Sequence, residues 1–202
     1  MNDFIAITPA TPAQILPRGI RESTDSDLPA MMEIFNETAG TGSNSPVTRA
    51  LTLEEVAFQI NLYKCDKMPV YVLERDGEVL GWLSINRFCW GSQACHTTGE
   101  MGIYVRADHC GTGMGVRLAR TAVILGRQYG LETIVGWIMA ANLPSQRMAQ
   151  AIGARLWARM PNIARFGQKR ADVLMFGLPL YEELPTEPGD EAASAANGMQ
   201  TS

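Results

Sequence analysis

The chain has 202 residues, 46% of them hydrophobic, with a net charge of −4 and a pI near 5.2. That is enough apolar material for one well-buried domain, and without any lysine- or arginine-dense stripe a nucleic-acid partner is not expected. The longest apolar runs fall well short of a bilayer span, so no membrane partner is expected either.

Residues 1–18 carry Pro9, Pro12 and Pro17 among small residues and read as an extended arm. They lack the basic start and continuous apolar core of a secretory leader, which makes cytoplasm the default location. The four cysteines (Cys65, Cys89, Cys95 and Cys110) show no framework spacing, and no Cys/His pair has the short spacing of a zinc site. Neither disulfides nor a metal are expected.

A first short strand spans residues 19–22. Asp25 is placed to cap a helix with Pro29 in its first turn, and Leu28, Met31, Met32, Ile34 and Phe35 give that helix a core face. The glycine- and serine-rich residues 39–46 form a connecting loop. Thr52 and Glu55 make a capping box for a second helix running to about Tyr63. Val70 to Glu74 alternates as a strand, Asp76-Gly77 is a hairpin turn, and Glu78 to Arg87 returns antiparallel. Residues 88–96 form a hairpin tip before the next strand.

Residues 97–142 organise the rest. A strand containing Glu100-Met101-Gly102-Ile103-Tyr104-Val105 meets the turn Cys110-Gly111-Thr112-Gly113-Met114-Gly115 and then a helix over residues 113–129. Val116, Ala119, Val123 and Gly126 are read as its inner face, with Arg117, Arg120 and Arg127 solvated. A buried strand (131–139), a short helix (142–152) and two closing strands (155–160 and 172–180) follow, the last two joined by a loop. Residues 182–202 lack aromatic side chains and read as a disordered tail. Antiparallel hairpins followed by a βαβ crossover predict an α/β (mixed α+β) fold whose mixed, mostly antiparallel sheet has helices on both faces.

Closely spaced glycines let a backbone approach a ligand, and the amides at a helix start favour a phosphate. Gly111, Gly113 and Gly115 do not match the dinucleotide spacing Gly-x-Gly-x-x-Gly, and no lysine lies between Lys67 and Lys169 to make a P-loop. What remains is a loop offering amides to a pyrophosphate.

Taken with Glu100 to Val105, with Asn142-Leu143-Pro144-Ser145, and with Ile20 to Thr24 and Ile34-Phe35-Asn36-Glu37, this loop resembles the GNAT superfamily of acetyl-CoA-dependent N-acetyltransferases. The phosphinothricin-acetyltransferase branch is the most similar, and the resemblance covers residues 19–181. It implies the GNAT fold, acetyl-CoA as co-substrate, a homodimer, and transfer to the amine of a small molecule such as phosphinothricin or a methionine derivative.

By the same resemblance Glu100 is the general base, a role that a carboxylate suits because an ammonium cannot attack a thioester. The Ile103 amide would hold the developing oxyanion. Ile103, Tyr104 and Val105 would pair with pantetheine, Cys110, Gly111, Thr112, Gly113, Met114 and Gly115 would cradle the pyrophosphate, and Asn142 and Ser145 would contact the same cofactor. Asn142 also reads as a plain N-cap with Pro144 in the first turn. Phe35, Arg87 and Glu100 are assigned to the acceptor, and the loop at 39–46 to its specificity.

Three features depart from the branch. At residues 88–96 its members often carry arginines and an Ala-Tyr pair that help hold a carboxylate-bearing substrate, and this sequence offers only Arg87. Cys110 replaces the branch's usual Arg or Gln, with His109 and Arg106 the neighbours placed to compensate, and a thiol at a helix start is open to a lowered pKa. The helix after Asn142 carries Gln146-Arg147-Met148-Ala149-Gln150 and no Tyr or His to protonate the leaving thiolate. A regulatory acetyl-CoA-binding module without catalysis, and a protein or peptide N-acetyltransferase, are the alternative readings.

Overall fold

The computed structural model of the protein describes residues 16–40 and 42–181. Most of the expected N-terminal arm and all of the expected tail from residue 182 lie outside the described residues. Seven strands form one sheet: β1 (Ile20–Glu22), β2 (Val70–Arg75), β3 (Glu78–Arg87), β4 (Thr98–Val105), β5 (Thr133–Met139), β6 (Arg155–Phe166) and β7 (Lys169–Pro179). Their order across the sheet is β1-β2-β3-β4-β5-β7-β6. Only β4 and β5 run parallel, joined by the crossover helix α3 (Met114–Gln128), and every other neighbouring pair is antiparallel.

Strand alternation divides the core between the two faces. Leu73, Leu83 and Ile85 pack with Leu118, Ala122 and Leu125 of α3 on one side. Val70, Val72 and Trp82 pack on the other with Met31, Ile34 and Phe35 of α1 (Leu28–Asn36) and Val56 and Ile60 of α2 (Leu53–Cys65). The Trp82 indole donates to the Met31 carbonyl at 3.1 Å, so the buried N–H that fixes α1 on the sheet is satisfied. A third cluster joins Ile138, Leu174 and Phe176 to Ala149 of α4 (Leu143–Ala151).

Several local expectations change. Asp25 is not the cap: Thr24 and Asp27 form a capping box around a 3₁₀ turn, and Asp27 then precedes α1 with Pro29 in its first turn. The Thr52–Glu55 capping box forms as expected, and α2 continues two residues past Tyr63. The inner face of α3 is Met114, Leu118, Ala122 and Leu125, together with Ala119 and Gly126, whereas Val116 and Val123 are only half-buried.

The largest difference is at the C-terminal end. Residues 161–171, expected as a loop, are mostly strand, with Ala164 opposite Ala171 and Arg165 opposite Arg170 around a turn at Gly167. Alternation was invisible there because β6 is an edge strand with much of its length exposed, so neither face is selected for apolar residues. Pro161 falls in a register shift between Met160 and Ala164, a position where a missing amide donor is tolerated.

Candidate functional site

The parallel pair β4–β5 holds register only from Thr98↔Thr133 to Glu100↔Val135. Beyond Glu100 the two strands separate while β4 continues to Val105 against β3. The Arg106 amide donates to the Leu80 carbonyl on the β3 side, and the Ile85 amide donates to Pro69 on the far side of β3. By the two-residue alternation of strand backbones, the amides of Met101, Ile103 and Val105 point away from β3; the Glu100↔Val135 pairing engages that of Met101, and those of Ile103 and Val105 face the gap.

That gap is the mouth of a cavity of about 200 Å³. One wall is β4 from Glu100 to Tyr104, and another is Trp137 and Ile138 of β5 with Asn142, Ser145 and Met148 of α4. Ser84 and Asn86 of β3, Gln59 and Tyr63 of α2, and Asn44, Ser45 and Pro46 of the loop after α1 complete it. The loop is tied down by Asn142, whose amide donates to the Asn44 carbonyl at 3.1 Å. The same side chain accepts from the Ser145 amide at 3.1 Å, so the N-cap role expected of Asn142 is filled within the cavity wall.

Glu100 stands opposite Asn86 in the β3–β4 register, on the face shared with α2. It is close enough to Tyr63 and Tyr104 to raise both phenols, although burial is the larger cause in each case. Gln59 donates to the Tyr63 hydroxyl at 2.7 Å. Tyr104 stacks on Trp82 with centroids 4.2 Å apart and lies 5.0 Å from Phe35.

At the other end of the gap the glycine loop turns into α3. Gly111 and Gly113 have φ of +82° and +86°, and a Cβ on either would meet nothing within 4 Å. The first intrahelical bond runs from the Arg117 amide to the Gly113 carbonyl, so the amides of Met114, Gly115 and Val116 point out of the helix end. Gly115 connects this end to the cavity, because a Cβ on it would lie 3.0 Å from the sulfur of Met148.

The structure thus brings Glu100, Ile103, Tyr104, Asn142 and Ser145 to one cavity, with Val105 and the 110–115 loop at its end. Two of the residues expected at the acceptor stand elsewhere. Phe35 is buried one layer beneath Tyr104 and does not line the cavity. Arg87 shares the parity of Leu83 and Ile85, the α3 face of β3, and its Nη1 donates to the His96 carbonyl at 2.7 Å.

The neighbours of Cys110 are also engaged: Arg106 pairs with Glu78 and Asp108, and His109 Nδ1 lies 2.8 Å from Asp108. Burial, with Glu37 and Asp108 nearby, pushes the Cys110 thiol up, opposite to the lowering open to a thiol at a helix start. Among the described residues no cluster of three or more His, Cys, Asp or Glu could hold a metal.

Gln59, Tyr63, Asn86 and Trp137 were not singled out in the sequence. Asn86 carried no local signal, because the Asp76-Gly77 turn sets the β2–β3 register and the long 88–97 connection leaves the β3–β4 register open. The α2 residues carried none either, since nothing local says which sheet face a helix covers.

A sequence profile of the Acetyltransferase (GNAT) family matches residues 28–154. The chain belongs to the GNAT family. It is accordingly an acyltransferase. "Putative phosphinothricin acetyltransferase YwnH" of Bacillus subtilis is 28% identical over 162 residues, 80% of this chain and 98% of that protein. An L-methionine sulfoximine/L-methionine sulfone acetyltransferase of Pseudomonas aeruginosa is 27% identical over 152 residues, covering 74% of this chain and 87% of that one. The fold matches that of a GNAT superfamily phosphinothricin acetyltransferase from Sinorhizobium meliloti solved with acetyl-CoA, at a TM-score of 0.76 and 22% identity over 84% of this chain and 93% of that one.

Proposed function

We propose that this protein transfers the acetyl group of acetyl-CoA to the amine of a small molecule, through a catalytic domain spanning residues 19–181. The observation that carries the reading is the β4–β5 gap, with a carboxylate at its apex, outward-facing strand amides along one side and a helix N-terminus at its end. These features fit the co-substrate: open space over Gly111 and Gly113 leaves room for a pyrophosphate, and the amides of Met114 to Val116 are donors without helical partners. Acetyl-CoA would supply the activated acetyl group as a thioester.

The chain's own residues would do the rest. Glu100 removes the proton that keeps the acceptor amine an unreactive ammonium, directly or through a water. The Ile103 amide, facing the gap, is the donor available to a carbonyl oxygen that gains negative charge. Val105 presents the next outward amide to an extended ligand, which would lie along β4 as an added strand does. Asn142 and Ser145 close the opposite wall.

Two relatives of similar length named for phosphinothricin or methionine sulfone acetylation support a small acceptor over a peptide. The enclosing loop at Asn44 to Pro46, pinned by Asn142, supports it as well. The protein is read as cytoplasmic, where its four free thiols would stay reduced. Among the described residues no helix is long and apolar enough to cross a membrane. A homodimer is read from the exposed apolar side chains Leu156, Trp157 and Ile163 along the edge strand β6.

The test is release of free thiol from acetyl-CoA with a panel of amino acids, methionine sulfone, phosphinothricin, simple amines and a lysine peptide. Turnover with small amines and not the peptide is expected. Acetyl-CoA binding without turnover on any amine would replace this reading with a regulatory module.

A further inference from the structure

The acceptor end of the cavity is notable for its charge. Glu100 is the one charged side chain among the described residues lining it. Around it stand the neutral groups of Gln59, Tyr63, Asn86 and Ser84 and the indole of Trp137. The two phenols, Tyr63 and Tyr104, are uncharged at neutral pH, and burial above all pushes both further up.

The cations near this end are turned elsewhere. Arg87 follows Asn86 in the chain, so strand alternation sends it to the opposite face of β3. There it donates to the His96 carbonyl and its methylenes pack over Gly91. The end of the β6–β7 hairpin reaches the loop after α1, where Phe166 packs near Gly42. Neither of its guanidinium groups lines the cavity: Arg165 donates to the Gly167 carbonyl and Arg170 to the Asn162 carbonyl, both within the hairpin.

We propose that the acceptor is a primary amine with no carboxylate on the carbon that bears the nitrogen, and not a free amino acid. This rests on the N-acetyltransferase reading above and narrows its substrate class. An amino acid carries its carboxylate two bonds from its ammonium, so placing the nitrogen at Glu100 brings the two carboxylates within a few ångströms. Like charges so close repel, more strongly in a desolvated cavity than in water. A carboxylate taken from water without an ionic partner also loses solvation that hydroxyl and amide groups replace only in part. An amine without that carboxylate keeps its attraction to Glu100 and meets neither cost, and Trp137 and Tyr63 line the cavity beside it.

The experiment uses the full chain, acetyl-CoA and matched acceptor pairs: L-methionine sulfone against 3-(methylsulfonyl)propan-1-amine, and L-leucine against 3-methylbutan-1-amine. The decarboxylated member of each pair is the more basic amine, so a smaller fraction is unprotonated and the comparison is biased against the proposal. Even so, its kcat/KM is expected to exceed that of the amino acid by about tenfold or more, the size of a close like-charge contact.

Gln59→Arg, on the half-exposed cavity-facing side of α2, adds a cation to that wall. It should move the ratio back toward the amino acid by about tenfold, with acetyl-CoA affinity and the thermal midpoint retained. Equal kcat/KM within both pairs, or preference for the amino acids in the unaltered protein, overturns the proposal while leaving the N-acetyltransferase reading standing. No thiol release from any amine, with acetyl-CoA binding confirmed by calorimetry, overturns that reading and the proposal with it.

Discussion

Glu100 and Gly113 stand at opposite ends of the gap, and their substitutions should separate chemistry from binding. Glu100→Gln keeps the shape of the side chain and removes its basicity. Turnover should fall by roughly 10²–10⁴, the usual contribution of a positioned base, with acetyl-CoA affinity unchanged by calorimetry. Turnover equal to the parent across the pH range would remove Glu100 from the chemistry. At Gly113 the positive φ and the open space around the Cβ position make distinct demands. Gly113→Ala meets no atom and should cost only about 1–2 kcal/mol of backbone strain. Gly113→Glu adds a negative charge where the helix end favours a phosphate, and acetyl-CoA binding should weaken about tenfold or more beyond the alanine variant. Equal affinities of the two variants would take the pyrophosphate away from this loop.

Among the elements, the first helix depends on a cluster that only folding assembles. Asp27 is 5% exposed and accepts from both Nη atoms of Arg21, at 2.7 and 2.9 Å, and from the Thr24 amide at 2.7 Å. The Arg21 guanidinium is the largest cause holding the Asp27 carboxyl well below the usual carboxylate range. Its folded-state pKa is therefore lower than its unfolded one. The stabilisation is complete above about pH 4–5 and fades as pH falls through the unfolded and then the folded value. Asp27→Ala should lower stability at neutral pH by about 1–3 kcal/mol, the cost of hydrogen bonds lost from a buried charged group. The gap between parent and variant should close in denaturant titrations as pH drops below about 4. A difference constant down to strongly acid pH would contradict the assignment.

For the whole molecule, the edge strand β6 is the surface to test. Leu156 is 53% exposed and Ile163 60% exposed. These are larger apolar side chains than an unprotected sheet edge usually shows to water. Light scattering after gel filtration should give twice the chain mass, and the paired change Leu156→Lys with Ile163→Lys should give the single-chain mass. A parent protein that runs as a monomer at micromolar concentration would leave the apolar edge to some other partner. Trp157 is the poorer choice for this test, because its ring lies directly over Gly177 and supports the β6–β7 hairpin itself.

Local chemistry made much of this protein legible from its residues. The Asp76-Gly77 turn, the Thr52–Glu55 capping box, the glycine start of α3 and the Asn142 cap each depend on a few adjacent residues, and each formed where it was expected. So did the mixed sheet, since a βαβ unit between hairpins leaves few ways to pair the strands. The hairpin at 155–179 was harder, because an exposed edge strand carries no apolar alternation. The tertiary structure alone decided where β4 and β5 part, which amides that parting frees, and which wall α2 brings to Glu100. It also set the fate of two sequence expectations: Arg87 went to the opposite face of β3, and Phe35 to the layer below Tyr104. Whether a side chain reaches a cavity depends on strand parity relative to elements tens of residues away. That relation exists only once the sheet and its covering helices have packed.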